Sequence, residues 1–301
     1  MEIRQLRYFV TVAQTLNFSE AARRLYITQG TLSQQIQQLE FELGSQLFER
    51  SSHNVSLTEA GEELMPLAMN TISASEECMT RMNDLRRALS GTLRIGAAST
   101  FKGMITSVAR SFMKEYRGVS LSIQFATEGE LLEMLRKKEI DFAFAYKAAE
   151  VHEDVESKVL LRISLQIMMR KDHPLSKERN LTLDTLAGYG IVIPGHGLQA
   201  RNSFDRFIGI DTRRLDIMVE TNDPDVAMDL VQCSDLLAIS TPLPAMDRGS
   251  IVSIPFENDK YQMKCCVHRI KNSYRKKSAE IFIEMLRDYI QLERITLNLQ
   301  K

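Results

Sequence analysis

The sequence predicts an α/β protein with an all-α N-terminal part, and three observations predict it. Three short apolar stripes of helical period fill roughly the first 45 residues. One further stripe of the same period then continues for about 31 residues. From Gly91 onward, short strand-like runs alternate with amphipathic ones, the texture of parallel strands flanked by helices. The chain has 301 residues, 44% hydrophobic and 26% charged, enough for two or three domains with real cores. No run approaches the roughly 18 apolar residues of a membrane span, so no membrane partner is expected.

In the first stripe Ile3, Leu6, Val10 and Ala13 keep the helical period, and Phe9 widens it. Asn17 or Ser19 can cap the next helix, where Ala21, Ala22 and Leu25 allow a neighbour to approach closely. Thr28 offers a third cap, after which Leu32, Ile36, Leu39 and Leu43 recur until Gly44 stops the helix. The second and third helices, joined through Tyr26-Ile27-Thr28, match a helix-turn-helix. The other face of the third helix carries Gln29, Thr31, Ser33, Gln34, Gln37 and Gln38. A merely solvated face usually holds Glu and Lys, whereas amides can pair with adenine's N6/N7 edge and hydroxyls can bond bases or phosphates. Leu47, Phe48, Val55 and Leu57 then flank the polar stretch 49–54, short enough for a small hairpin that is a candidate wing.

Thr58 can cap a long helix reaching about Leu89, with Ala60, Leu64, Leu67, Thr71, Ala74, Cys78, Met82 and Leu85 along one side. A rod of roughly 46 Å with one apolar side needs a partner, the simplest being the same helix of a second copy. Pro66 should kink or weaken its first turns. Beyond it, strands are expected at 92–97, 120–126 and 141–146, with helices at 101–116 and 128–138 between them. A second set has strands at 164–170, 191–194, 215–221 and 237–240, with helices at 183–187, 199–208 and 224–233. A returning strand at 262–268 and a helix at 278–291 end the chain. Two lobes with parallel sheets follow, with ligands expected in the cleft at the strands' C-terminal ends. The expected domains are 1–58, the linker helix 59–90, and 91–301. Within the last, lobe 1 takes about 91–162 plus 268–301 and lobe 2 about 163–267.

Charge argues weakly. The net charge is −1, and residues 1–91 hold eight Arg, no Lys and 11 acidic residues, a net −3, so DNA binding there must rest on pattern. Cys78, Cys233, Cys265 and Cys266 are too few and too uneven for a disulfide scaffold or a metal knuckle. The five histidines, at positions 53, 152, 173, 196 and 268, scatter and suggest no metal site. No GxSxG, GxxxxGK[ST], GxGxxG or HExxH motif is present, which speaks against an enzyme and gives no cofactor signature. The opening MEIRQLRYFVTVAQ is amphipathic rather than a secretory signal, so a cytoplasmic location is expected.

Laid out this way, the sequence resembles the LysR-type transcriptional regulators over essentially its whole length. The resemblance is carried by Leu6-Arg7-Tyr8-Phe9-Val10 with Ala13, Phe18-Ser19-Glu20-Ala21-Ala22-Arg23-Arg24-Leu25, Thr28-Gln29, Leu32-Ser33, Ile36 and Leu39-Glu40. It continues through Leu43-Gly44, Leu47-Phe48-Glu49-Arg50 and Leu57-Thr58-Glu59-Ala60-Gly61, and more weakly through Gly91-Thr92-Leu93-Arg94-Ile95-Gly96, Ile140-Asp141-Phe142-Ala143 and His173-Pro174-Leu175. It implies a winged helix-turn-helix, a dimerising linker helix and a two-lobed effector domain built like a periplasmic solute-binding protein. It also implies that a small-molecule effector changes how a homotetramer, a dimer of dimers, sits on double-stranded promoter DNA, without catalysis. By position, Thr28 and Ser33 would touch phosphates or base edges, and Gln29 and Gln34 would read bases, with Ser19, Thr31 and Gln37 beside them. Arg50 would hold the DNA backbone, and His53 and Asn54 would occupy the wing tip. Gly30 stands where Pro, Ser or Ala is usual. Gln34, Gln37 and Gln38 stand where at least one cation is common, and the wing tip lacks its usual Arg. Fewer cations predict a shallow salt dependence of DNA binding. Cys233-Ser234-Asp235-Leu236-Leu237 also replaces a glycine-containing turn usual in the second lobe.

For the effector, the turn Ala98-Ser99-Thr100 follows the first strand and opens a helix, where backbone N–H groups and hydroxyls would suit a carboxylate. The alternative is that Ser99 is only a helix cap. Thr127, Glu128, Gly129, Tyr146, Pro194, His196 and Thr221 end other strands toward the same cleft. Glu128 could instead select a cationic group or an amide, and His196 could be a plain loop histidine. Two rivals stand beside an effector-responsive regulator. One senses oxidation through Cys or Met, although Cys265-Cys266 could form only a strained ring and pairs such as Met168-Met169 suit core filling. The other is a solute-binding protein without DNA function, which the first 90 residues contradict. The basic run 269–277, with five cations, reads as a solvated surface.

Overall fold

The computed structural model describes residues 1–50, 55–85, 89–147, 152–196, 198–208, 215–243, 248–255 and 262–299. The chain divides into two compact units, Met1–Ala88 and Leu89–Lys301.

The first unit comprises α1 (Ile3–Thr15), α2 (Phe18–Arg24), α3 (Gln29–Leu43), β1 (Phe48–Arg50), β2 (Val55–Leu57) and α4 (Glu59–Leu85). The buried side of α1 is Leu6, Phe9 and Val12, while Ile3 is exposed. Asn17, not Ser19, caps α2, its side chain accepting from Glu20 N at 3.0 Å. Thr28 caps α3 by accepting from Thr31 N at 3.1 Å, and Gly44 ends it at φ 67°, a left-handed conformation that costs glycine nothing. Leu32, Ile36 and Leu39 are fully buried and meet α1 and α2 in one core. Phe48 joins that core against Phe9 (centroids 5.4 Å apart) and edge-on to Phe18 (5.7 Å). The expected hairpin forms, with β1 antiparallel to β2. α4 continues through Pro66, which lies inside it. Its apolar residues Leu67, Cys78, Met79 and Met82 are exposed in the single chain.

The second unit comprises β3 (Gly91–Ala97), α5 (Lys102–Glu115), β4 (Val119–Phe125), α6 (Glu128–Arg136), β5 (Phe142–Tyr146), β6 (Val155–Ile163) and β7 (Gln166–Arg170). It continues with α7 (Leu183–Leu186), β8 (Gly190–Pro194), α8 (Gln199–Ile208), β9 (Asp216–Thr221), α9 (Pro224–Gln232), β10 (Leu237–Ser240), β11 (Ile251–Pro255), β12 (Met263–Ile270) and α10 (Lys277–Leu299). Lobe 1 is built on the strand order β4-β3-β5-β12-β6 and lobe 2 on β11-β7-β10-β8-β9.

Both sheets are mixed rather than purely parallel. β3 runs parallel to β4 and β5, but β12 is antiparallel to β5 and β6. β8 runs parallel to β9 and β10, but β7 is antiparallel to β10 and β11. The two strands not expected from the sequence, β6 and β11, are edges. An exposed run at 156–159 hides the alternation of β6, and β11 ends at Pro255, whose missing N–H an edge tolerates. The chain enters lobe 2 across Ser164 and Leu165. It is back in lobe 1 by Met263 and not at 267/268, because all of β12 pairs with β5 and β6.

The basic run 269–277 is not a plain solvated surface. Arg269 pairs with Glu280, and Lys276 Nζ lies 2.8 Å from Asp141 Oδ1 and 3.1 Å from Thr92 O, so two of its cations tie α10 to the first sheet.

Candidate functional site

In the first unit, the outer face of α3 presents Gln29, Thr31, Gln34, Gln37 and Gln38 to solvent, with Ser33 half-buried. Burial of Leu32, Ile36 and Leu39 at helical spacing leaves these positions no other direction to face. Thr28 spends its hydroxyl on the cap, 2.9 Å from Thr31 Oγ1. Ser19 of α2 donates to Gln29 Oε1 at 2.8 Å. Tyr26, at φ 56° in the turn between α2 and α3, is almost wholly exposed. Arg23 and Arg24 both pair with Glu20, and Arg24 first, then Arg23, holds that carboxyl below its usual range. Glu40 Oε1 accepts from Leu47 N (2.9 Å) and Phe48 N (3.3 Å), seating the first strand of the hairpin. Arg50 ends that strand opposite Val55. Its side chain, and the whole of His53 and Asn54, lie outside the described residues.

In the second unit, Ser99 and Thr100 occupy a short 3-10 turn between β3 and α5 whose N-cap is Ala98, so Ser99 is not the side-chain cap. Phe101 anchors the turn: it is fully buried and packs, with tilted rings, against Phe144 (centroids 4.4 Å apart) and Tyr146 (5.1 Å). Thr100, Pro194, Leu198, Thr221, Asp223, Pro224 and Ser240 meet around one cavity of about 340 Å³, its open mouth included, with Val192, Ile193, Ala200, Ala227 and Ile239 as apolar lining. Thr100 comes from lobe 1 and the remainder from lobe 2.

Two further contacts cross between the lobes. The Tyr146 hydroxyl lies 3.3 Å from Thr241 Oγ1, and burial pushes its phenol pKa well up. Lys102 Nζ lies 2.9 Å from Asp225 Oδ2. Around this frame, Glu128 is half-buried, its Oε1 has no hydrogen-bond partner, and burial pushes its carboxyl up to about 7. His268 is buried, with Nδ1 2.8 Å from Ser157 Oγ and Nε2 3.0 Å from Tyr146 O, and burial lowers its pKa.

Two family comparisons place these features. A LysR substrate binding domain matches residues 86–291. A bacterial regulatory helix-turn-helix of the lysR family matches residues 3–62. The chain belongs to the LysR family.

Among its relatives, the HTH-type transcriptional activator CmpR of Synechocystis sp. is 27% identical over 218 residues, spanning 72% of this chain and 71% of CmpR. The HTH-type transcriptional regulator BudR of Raoultella terrigena is 35% identical over 189 residues, 62% of this chain and 65% of BudR. Full-length CbnR, solved in complex with its target DNA, has the same fold: TM-score 0.70 at 21% identity, covering 96% of this chain and 100% of CbnR. The protein is therefore a LysR-type DNA-binding transcriptional regulator with an effector-binding domain, not an enzyme. No helix among the described residues is long and apolar enough to cross a membrane.

Of the effector residues expected from this LysR-type sequence, Thr100, Pro194 and Thr221 converge on the cavity, and Ser99 adjoins it in the chain. Thr127, Glu128, Gly129, Tyr146 and His196 are not part of that lining. Thr127 donates its hydroxyl to Glu130 at 2.7 Å in a capping box, and the Tyr146 hydroxyl is engaged with Thr241. His196 is exposed, and its backbone N–H donates to Glu220 Oε1 at 3.1 Å. Lys102, Asp223, Asp225, Ser240 and Thr241 were not expected. An Asp before Pro224 is a helix-start signal, and that signal could have placed Asp223 at the cavity rim. Cys265 and Cys266 are fully buried, and burial pushes the Cys266 thiol up, away from the reactive thiolate.

Proposed function

We infer that this regulator reads double-stranded promoter DNA with α3, its hairpin serving as the wing, and responds to a small carboxylate-bearing effector held between the lobes. The observation that carries the effector reading is the meeting of Thr100 with Pro194 and Thr221 around one cavity at the start of α5. Backbone N–H groups there are capped by no side chain, and an anion suits a helix start. On the DNA side, Gln29 and Gln34 specify bases and Thr28 and Ser33 approach the backbone, with Arg50, His53 and Asn54 assigned by position. The exposed apolar side of α4 supports self-association through that helix, and the family fold supports a dimer of dimers. The cytoplasm is where such a regulator meets DNA.

The test is the thermal midpoint of the purified protein against a panel of small organic acids, amino acids and neutral aromatics. A ligand that binds only the folded state raises that midpoint by mass action. The expected result is a carboxylate hit whose shift disappears in Ser99→Ala while DNA binding stays intact. An unchanged shift in that variant refutes the placement.

A further inference from the structure

Lys102 opens α5 in lobe 1, yet its ammonium is held by lobe 2. Nζ lies 2.9 Å from Asp225 Oδ2 and 3.9 Å from Asp223 Oδ1. Asp223, which lines the cavity beside Thr100 and Thr221, is the N-cap of α9 and accepts from Asp225 N at 2.8 Å. Asp225 has a second cation as well: Arg248 Nη2 is 3.2 Å from its other oxygen, and Arg248 also pairs with Asp229. We propose that Lys102 is the counter-ion of the effector's anionic group, and that binding exchanges its partner from Asp225 of lobe 2 to that group. This rests on the reading of an anionic effector at the Ser99–Thr100 turn.

Three features make the exchange feasible. First, release of Lys102 leaves neither acid bare. Arg248 stays on Asp225, and both acids sit at the start of α9, where the helix dipole favours negative charge. Second, Lys102 itself occupies the first turn of α5, the wrong end of a helix for a cation. An anion lodged between it and the Ser99–Thr100 turn would satisfy both the ammonium and the helix start. Third, the ion pair is weak enough to give way: the two side chains keep 39% and 46% of their exposure, and half-exposed pairs of this kind contribute little. The exchange also has a mechanical result. The Lys102–Asp225 contact ties lobe 1 to lobe 2, so the ligand's charge would replace a bond between lobes with a bond inside lobe 1. Tyr146–Thr241 would then remain as a tie between them.

The test uses the full-length protein and the thermal midpoint as a function of sulfate, acetate, pyruvate, malonate and benzoate, with agmatine as a cationic control. In Asp225→Asn, Lys102 keeps only its longer contact with Asp223, so the half-saturating concentration of the active anion falls by about 2- to 5-fold. In Lys102→Gln it rises by about 10-fold or more, as expected for loss of a charge-assisted bond, and Lys102→Arg restores most of the affinity. Circular dichroism of each variant without ligand checks that it is folded. If Lys102 were only a tie between lobes, Lys102→Gln and Asp225→Asn would shift affinity in the same direction, which overturns the exchange. An anion shift equal in wild type and Lys102→Gln overturns the role of Lys102 but leaves the anionic effector standing. No anion shift in any variant, or a shift by agmatine alone, overturns both.

Discussion

Ser19 Oγ donates to Gln29 Oε1 at 2.8 Å, so the first amide of α3 is oriented by the helix before it. With one lone pair of its oxygen occupied, Gln29 presents its NH₂ outward. That group matches an acceptor such as guanine O6 or N7, thymine O4 or adenine N7, and the second half of the two-atom pairing with adenine falls to the one lone pair that Ser19 leaves on Oε1. Binding-site selection should therefore show an acceptor-bearing base opposite Gln29. Gln29→Ala should cost about 1–3 kcal/mol on the selected site and little on random DNA. Ser19→Ala should keep most of the affinity while strengthening the preference for adenine at that position, because both lone pairs of Gln29 Oε1 are then free for N6–H. An unchanged preference in Ser19→Ala would show that the bond does not select.

Gly61 is the point where α4 passes the hairpin. A Cβ there would lie 2.3 Å from the Leu47 carbonyl oxygen and 2.8 Å from a Leu57 methyl. The carbonyl belongs to backbone held by Glu40 and by Thr58, whose N–H donates to it at 3.1 Å, so it has little room to yield. Gly61→Ala is expected to destabilise the N-terminal unit by about 1–3 kcal/mol, the usual cost of overpacking. Chemical denaturation should show an earlier loss of this unit with the effector domain unaffected. A midpoint within error of wild type would mean that the hairpin moves aside without cost.

Much of this was legible because local signals and tertiary packing agree in the first unit. Leu32, Ile36 and Leu39 recur at helical spacing and are the residues buried, Thr28 and Gly44 bound α3, and the amide-rich face is the exposed one. The cleft was only half legible. Pro194 and Thr221 end strands and Thr100 lies in the turn after one, in the expected way, but Lys102, Asp223 and Asp225 meet through an arrangement of two lobes that no local pattern encodes. Edge strands β6 and β11 escaped for a related reason. An edge buries little, so its sequence need not alternate cleanly, and their pairing makes both sheets mixed.

Glu128 gives the protein a pH signature between pH 4.5 and about 7. Burial raises its carboxyl from the ordinary 4.5 to about 7, so the folded state keeps a proton that the unfolded chain releases. Below pH 4.5 both states hold the proton and the residue contributes no difference. Between 4.5 and about 7 stability falls as pH rises, and above that the penalty is complete. Glu128→Gln removes the charge and should stabilise the effector domain at pH 8 by about 1 kcal/mol, after discounting for partial exposure. The gain should vanish near pH 4. A gain independent of pH would point to shape rather than ionisation.

His268 works in the opposite direction. Its ring sits between the Ser157 hydroxyl at 2.8 Å and the Tyr146 carbonyl at 3.0 Å, an arrangement served by a neutral imidazole that donates from Nε2 and accepts at Nδ1. Burial lowers its pKa from the ordinary 6.5, so the unfolded chain takes up a proton first as pH falls. Stability contributed by neutral His268 is fully present above the unfolded 6.5 and is lost progressively below it. Because the same Tyr146 reaches Thr241 of the other lobe, acid should loosen the tie between lobes along with the strand pairing. His268→Gln keeps the shape and much of the hydrogen bonding without a titration. Its denaturation midpoint should lie below wild type at pH 7.5, and the gap should narrow toward pH 5. A gap that stays constant would show that the residue acts only through packing, and proton uptake measured on unfolding at pH 6 would then be the same in both proteins.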